Sequence, residues 1–179
     1  MNNVYQTVCA DIARYCQGKG YCDGPGVNNL VPHDAIAAFG MARHLTSERE
    51  FDYYLAVAPE GHIYGYFFER FGRKTLDIFV PYPPVGLQVN DDLSCIKGKR
   101  VLIIEDDVMS GKSLQLVIQQ LIQHEPAHIV LYLGHSKGIQ HPENVSKVIE
   151  HIYFTEDIYA IHDPILLEQE FQQFFKEAT

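Results

Sequence analysis

Basic charge is what this chain has least of. Its 14 Lys and Arg face 23 Asp and Glu, a net charge of −9 over 179 residues. Binding along a phosphate backbone needs a basic face, so nucleic acid is not expected as a main partner. A small phosphorylated ligand, held locally, stays compatible with that charge. No run approaches the roughly eighteen apolar residues of a membrane helix, and no signal-peptide pattern opens the chain. A cytoplasmic protein without a membrane role is therefore expected. The cysteines Cys9, Cys16, Cys22 and Cys95 form no C-x-x-C pair. Zinc-site spacings are missing, and buried thiols in a reducing compartment are the expectation. Internal repeats, low-complexity tracts and linkers are absent too. With 46% hydrophobic and 21% charged residues, the composition is that of one soluble globular domain with a proper core.

What is present centres on residues 101–113. Val101, Leu102, Ile103 and Ile104 run without polar interruption and end in Glu105, Asp106 and Asp107. Such a run predicts a fully buried strand of a parallel sheet. From Leu114 onward, Val117, Ile118, Leu121 and Ile122 repeat at helical spacing. The stretch is thus strand, acidic tip, small-residue loop, helix, and in open α/β sheets ligands bind at such a junction. Ser110, Gly111, Lys112 and Ser113 open the helix with free backbone N–H groups and two hydroxyls, a receptor for a phosphate. Glu105 and Asp106 suit hydrogen-bond donors such as sugar hydroxyls, or a divalent cation. A ligand with a phosphate at one end and a diol at the other, such as ribose 5-phosphate, satisfies both halves.

A nucleotide-binding P-loop needs a glycine where Asp106 stands, and a carboxylate there would clash with a polyphosphate, so that reading is rejected. The thirteen residues resemble instead the phosphoribosyl-pyrophosphate signature of type I phosphoribosyltransferases. The Glu-Asp opening and Gly-Lys-Ser close are similar to its hypoxanthine–guanine branch. The resemblance implies that Glu105 and Asp106 hold the ribose hydroxyls, and that Met109, Ser110, Gly111, Lys112 and Ser113 cradle the 5′-phosphate. It also implies Mg2+, met by Glu105 and Asp106 indirectly, through ribose hydroxyls or water. Asp107 is charged where the family is apolar. Met109 stands where that branch has the acid proposed as proton acceptor, so no catalytic acid–base residue is assigned.

Elsewhere, residues 2–17 are expected to be helical, with Tyr5, Val8, Cys9, Ile12 and Cys16 on one face. A glycine-rich loop follows, then a helix over 32–44. These first fifty residues are a helical extension, either a cap over the sheet or an oligomer contact. Residues 53–58 read as a strand, 58–62 as a tight turn and 63–71 as a helix. By resemblance, Ala58, Pro59, Glu60 and Gly61 form the pyrophosphate loop, although an acid at Glu60 repels pyrophosphate unless magnesium intervenes; the alternative is an ordinary βα turn with glycine for its backbone angle. A strand over 75–80 leads into Pro81-Tyr82-Pro83-Pro84, where prolines favour a stiff extended segment over a central strand. The family has a mobile, often basic loop here. This segment is short, and Asn90 is followed by the acidic Asp91 and Asp92, so the lid is supplied by another subunit or is absent.

Residues 127–133 make a further buried strand. His135 and Lys137 follow it, where they could reach the cleft, though as loop residues they are more often surface. Residues 150–154 are the last strand, and Asp163 caps a final helix with Leu167, Phe171, Phe174 and Phe175 on one face. Tyr153, Phe154, Tyr159 and Asp163 are base-recognition candidates by position in the family's hood.

The expected fold is α/β and doubly wound, a mostly parallel sheet of about five strands flanked by helices. It forms a single domain over 1–179: an extension over 1–50, a binding core over 51–137, and a carboxyl-terminal strand and helix over 138–179. The expected function is transfer of ribose 5-phosphate from phosphoribosyl pyrophosphate to a nucleobase or related acceptor, with pyrophosphate released. A small molecule is the expected partner, and a homodimer is compatible with the short lid. The alternative is a catalytically degenerate relative that senses a phosphorylated ribose ligand. A response-regulator-like acidic pocket ranks last, because its acids belong at the first strand.

Overall fold

The computed structural model describes residues 2–21, 30–48, 50–135 and 147–177. Cys22 and Lys137 lie outside them, as does most of the glycine-rich loop. The chain runs α1 (Asn2–Gly18), α2 (Pro32–Ser47), β1 (Tyr53–Ala58), α3 (Gly61–Arg70), β2 (Thr75–Phe79), β3 (Gln88–Val89), a 3-10 turn at Leu93–Ile96, and β4 (Arg100–Glu105). It continues with α4 (Lys112–Ile122), β5 (His128–Leu133), β6 (Ile149–Phe154), a second 3-10 turn at Thr155–Ala160, and α5 (Pro164–Glu177).

The strands form one sheet in the order β3-β2-β1-β4-β5-β6. All neighbours are parallel except β2 and β3. The sheet therefore has six strands rather than about five. The additional strand is the two-residue β3, antiparallel at the edge, just past the prolines. An edge position tolerates proline nearby because one side of the strand makes no ladder bonds.

Both faces of β4 are covered, which explains its unbroken apolar run. Leu102 and Ile104 join the core under α1, α2, α3 and α5, while Val101 and Ile103 join the core under α4. Alternation along a strand sends successive side chains to opposite faces, and here both faces are dry. On α4, Leu114, Val117, Ile118 and Leu121 are buried, but Ile122 at the last turn is 47% exposed. Every residue of α3 from Gly61 to Phe68 is buried. A helix apolar all round must be enclosed, and α3 lies between the sheet and a second layer made by α1 and α2. Val8, Ile12 and Cys16 supply the buried face of α1, with Tyr5 and Cys9 at its margin.

The carboxyl-terminal helix begins as its sequence indicates. Ile165 N–H and Leu166 N–H both donate to Asp163 Oδ1 at 2.9 Å. Its apolar face packs an aromatic cluster, with Phe39 of α2 against Phe171, Phe174 and Phe175.

Candidate functional site

Strands β1 and β4 are neighbours, yet β1 is followed by α3 on one face and β4 by α4 on the other. The crevice at their carboxyl ends is the topological switch point of the sheet. A cleft of about 260 Å³ opens there. Ala58 and Glu60 line it from the β1 side, and Glu105, Asp106, Asp107 and the 108–114 segment line it from the β4 side. Val80, Pro81, Tyr82 and Pro84 form a third wall.

The β1 side is a tight turn. The Ala58–Pro59 peptide is cis, and His62 N–H and Ile63 N–H donate back to Pro59 O and Glu60 O. Gly61 is required by proximity: a Cβ there would lie 2.5 Å from Ile104 O. The α3 amino terminus thus sits directly on Ile104, the penultimate residue of strand β4. Pro59 and Gly61 shape the turn rather than line the cleft, and Glu60 is the residue that projects into it.

The β4 side carries the acids. Glu105 is only 6% exposed, and its Oε1 accepts from Asp106 N–H at 3.1 Å. Asp107 N–H donates to Asp106 Oδ1 at 2.7 Å. Pairing with β5 continues past the strand end, since Gly134 N–H reaches Glu105 O and His135 N–H reaches Asp106 O. His135 therefore stands beside the acidic tip, exposed. Gly134 must be glycine here, because a Cβ would meet the Tyr64 ring at 2.2 Å. Gly111 opens α4 at φ +74°, a left-handed conformation that suits glycine, and no side chain caps the helix. Lys112 N–H has only a long 3.4 Å contact to Ser110 Oγ. Met109, Ser110 and Lys112 are exposed and Ser113 is half-buried on the cleft.

The carboxyls repel one another. Burial pushes Glu105 well above the usual range, and neighbouring Asp106 adds to the rise. Burial, then Asp106 and Asp107, push Glu60 up. Burial and Asp106 also raise Asp107, while His135 acts in the opposite direction. Hydrogen-bond donors or cations placed among these groups relieve that strain. Carboxylates suit magnesium as hard oxygen donors. Among the described residues, however, no group of three or more His, Cys, Asp or Glu is arranged to hold a metal.

Other expected residues lie elsewhere. Tyr159 stacks on His33 with ring centroids 4.6 Å apart, Tyr153 packs on His151, and Asp163 is spent as the α5 cap. None of these, nor Phe154, lines the cleft. The third wall went unassigned in the sequence, although prolines flanking a tyrosine after a strand are a visible signal. The segment expected to be a missing lid is a short hairpin, with Tyr82 98% exposed at its bend. His62, fully buried next to Asp77, also went unassigned, and its only signal is its place after the β1 turn.

No protein-family model and no curated protein matches this chain. Solved structures do. A hypoxanthine-guanine phosphoribosyltransferase from Bacillus anthracis is 21% identical with a TM-score of 0.50, over 70% of this chain and 79% of that one. A purine phosphoribosyltransferase from Pyrococcus horikoshii is 25% identical with a TM-score of 0.47, over 66% and 78%. A hypoxanthine phosphoribosyltransferase from Trypanosoma cruzi, with the product IMP, is 16% identical with a TM-score of 0.46, over 66% and 69%. The likeness to the Bacillus anthracis protein is one of fold: this chain is an α/β protein with the phosphoribosyltransferase architecture.

Proposed function

We propose that this protein binds phosphoribosyl pyrophosphate with magnesium and transfers ribose 5-phosphate to a nucleobase or related acceptor, releasing pyrophosphate. The observation that carries the reading is one cleft joining a carboxylate-tipped strand to an uncapped helix start. Met109 to Ser113 offer N–H groups, hydroxyls and the helix dipole to the 5′-phosphate. Glu105 and Asp106 accept from the ribose hydroxyls. Ala58 and Glu60 border the leaving group, with Pro59 and Gly61 holding their turn. Glu105 and Asp106 would meet magnesium indirectly, through ribose hydroxyls or water, and the ion would supply charge neutralisation for pyrophosphate. The chain itself positions the sugar, shields the charge that develops at the anomeric carbon and excludes water. The partner is a small molecule, in the cytoplasm, with neither nucleic acid nor membrane involved. His135 follows β5 and stands beside the acids.

A second reading, a non-catalytic sensor of a phosphorylated ribose ligand, is favoured by two specific features. Glu60 puts a carboxyl in the leaving-group half of the cleft, and Met109, 51% exposed, offers no proton acceptor.

Calorimetric titration with phosphoribosyl pyrophosphate and magnesium, followed by a pyrophosphate-release assay across common bases, separates the two. Binding with release supports the transferase and names the acceptor; binding without release supports the sensor. Asp106→Ala should weaken binding about a hundredfold, the loss of two hydrogen bonds to a charged group. Unchanged affinity in that variant would sink the site assignment.

A further inference from the structure

Beside the cleft, but not lining it, a polar network converges on one carboxylate. Asp77 sits in the middle of β2 and is only 7% exposed. Its Oδ2 accepts from Asn90 Nδ2 at 3.1 Å, and both its oxygens accept from Tyr21 OH at 3.1–3.2 Å. His62 Nε2 stands 3.2 Å from its Oδ1. Its backbone is engaged too: Asp77 N–H donates to Asp91 Oδ2 at 2.8 Å, and Asp77 O accepts from Asn90 N–H at 3.1 Å. The groups meeting here come from the residues just past α1, the first turn of α3 and the residues directly after β3.

Two walls of the cleft depend on those groups. The hairpin carrying Val80, Pro81, Tyr82 and Pro84 closes on β3, which is two residues long and pairs with β2 only at Ile78↔Val89 and Phe79↔Gln88. So short a ladder is weak alone, and Asn90 and Asp91, directly after it, tie the returning strand to Asp77. The 59–61 turn is followed at once by His62, which is fully buried and holds the α3 start against the same carboxylate. The 105–113 half of the cleft makes no contact with this network in any of these bonds.

We propose that Asp77 is a positioning residue of the cleft: without touching the ligand, it sets where the hairpin wall and the 59–61 turn stand, through Asn90 and His62. The inference rests on the reading given under Proposed function, because it assigns the 59–61 turn to the leaving-group half, and the hairpin starts beside that turn with Val80 N–H donating to Ala58 O at 3.3 Å. Loss of the anchor then weakens binding of the pyrophosphate end and leaves the ribose 5-phosphate end unchanged. A network that only stabilised the sheet edge would affect both ends equally or neither.

The test compares wild type, Asn90→Ala and Asp77→Asn. Asn90 is exposed, so its truncation removes the hairpin's side-chain link to the carboxylate with little risk to folding, and the isosteric Asp77→Asn removes the shared charge. Equilibrium binding is measured for ribose 5-phosphate and for phosphoribosyl pyrophosphate with magnesium. Both variants should keep ribose 5-phosphate affinity within about twofold and lose about tenfold for phosphoribosyl pyrophosphate, the worth of one charge-assisted hydrogen bond. Equal losses for both ligands, or an unchanged ratio, overturn the proposal. Amide hydrogen exchange without ligand gives an independent readout: Asn90→Ala should speed exchange across residues 80–90 and leave 101–105 unchanged. If wild type binds neither ligand, the proposed function falls; if exchange across 80–90 does not change, the anchor itself falls.

Discussion

His62 Nε2 lies 3.2 Å from Asp77 Oδ1, and the imidazole has no exposed surface at all. The approach falls short of a well-aligned hydrogen bond, so the pair is chiefly an electrostatic contact between α3 and β2. Around it, Tyr15 OH stands 3.5 Å from His62 Nδ1 and 3.3 Å from Thr75 Oγ1. Glu69 Oε1 accepts from Thr75 Oγ1 and Lys19 Nζ. The polar seam between α1 and the sheet is thus continuous from the β1 turn to the far end of α3.

That seam makes stability fall in acid. Burial raises the Asp77 carboxyl, but His62, Asn90 and Tyr21 together outweigh it and hold the group below its usual value. Glu69 behaves alike, with Lys19 and Thr75 outweighing burial. A carboxyl depressed in the folded state adds stability above its unfolded pKa and loses it as pH falls through the folded one. Asp77→Asn should therefore cost about 1–3 kcal/mol at neutral pH and less at about pH 3. Urea denaturation at both pH values checks this; an equal cost at both would refute it.

Glu105 has the opposite sign. Its folded-state carboxyl is raised by burial and by Asp106, so folding loses stability as pH climbs from the unfolded carboxylate range through the folded value. Glu105→Gln removes that penalty. Its melting temperature should exceed wild type at about pH 8 by a few degrees, as expected for roughly 1 kcal/mol, and converge with it at about pH 4. The same variant should bind ribose 5-phosphate about tenfold more weakly, since an NH2 donor replaces one of the two acceptor oxygens. Thermal melts across pH would contradict the sign if the gap widened in acid.

Two glycines on α3 should respond differently to one methyl group. At Gly61 the new Cβ meets a backbone carbonyl at 2.5 Å, which can move only if β4 moves. Gly61→Ala should cost about 1–3 kcal/mol, as overpacking does. At Gly65 the nearest atoms are the Ala56 and Thr75 side chains at 3.5 Å, ordinary contacts. Gly65→Ala should be neutral or stabilise by up to about 1 kcal/mol, the helix preference of alanine over glycine. Chemical denaturation of both variants checks the contrast, and equal effects would refute it.

Local chemistry alone was enough for much of this. An unbroken apolar run ending in acids has few outcomes other than a buried strand with a polar tip, and β4 to α4 follow that pattern. Proline, aspartate and helical spacing were likewise enough to start α2 and α5. These features depend on residues close in sequence, whose preferences act before the chain is packed. Tertiary structure decided what depends on distant residues. The prolines at 81–84 indicate a stiff segment, but only pairing with β2 made it a hairpin wall. The sequence puts Glu60 in the turn after β1, but only the placement of β1 beside β4 brings Asp106 and Asp107 close to it. His62 and Asp77 are fifteen positions apart on different elements, and no spacing rule links them. Their contact exists because α3 returns across β2 and leaves a dry gap that a carboxylate can occupy only with donors gathered from three other segments.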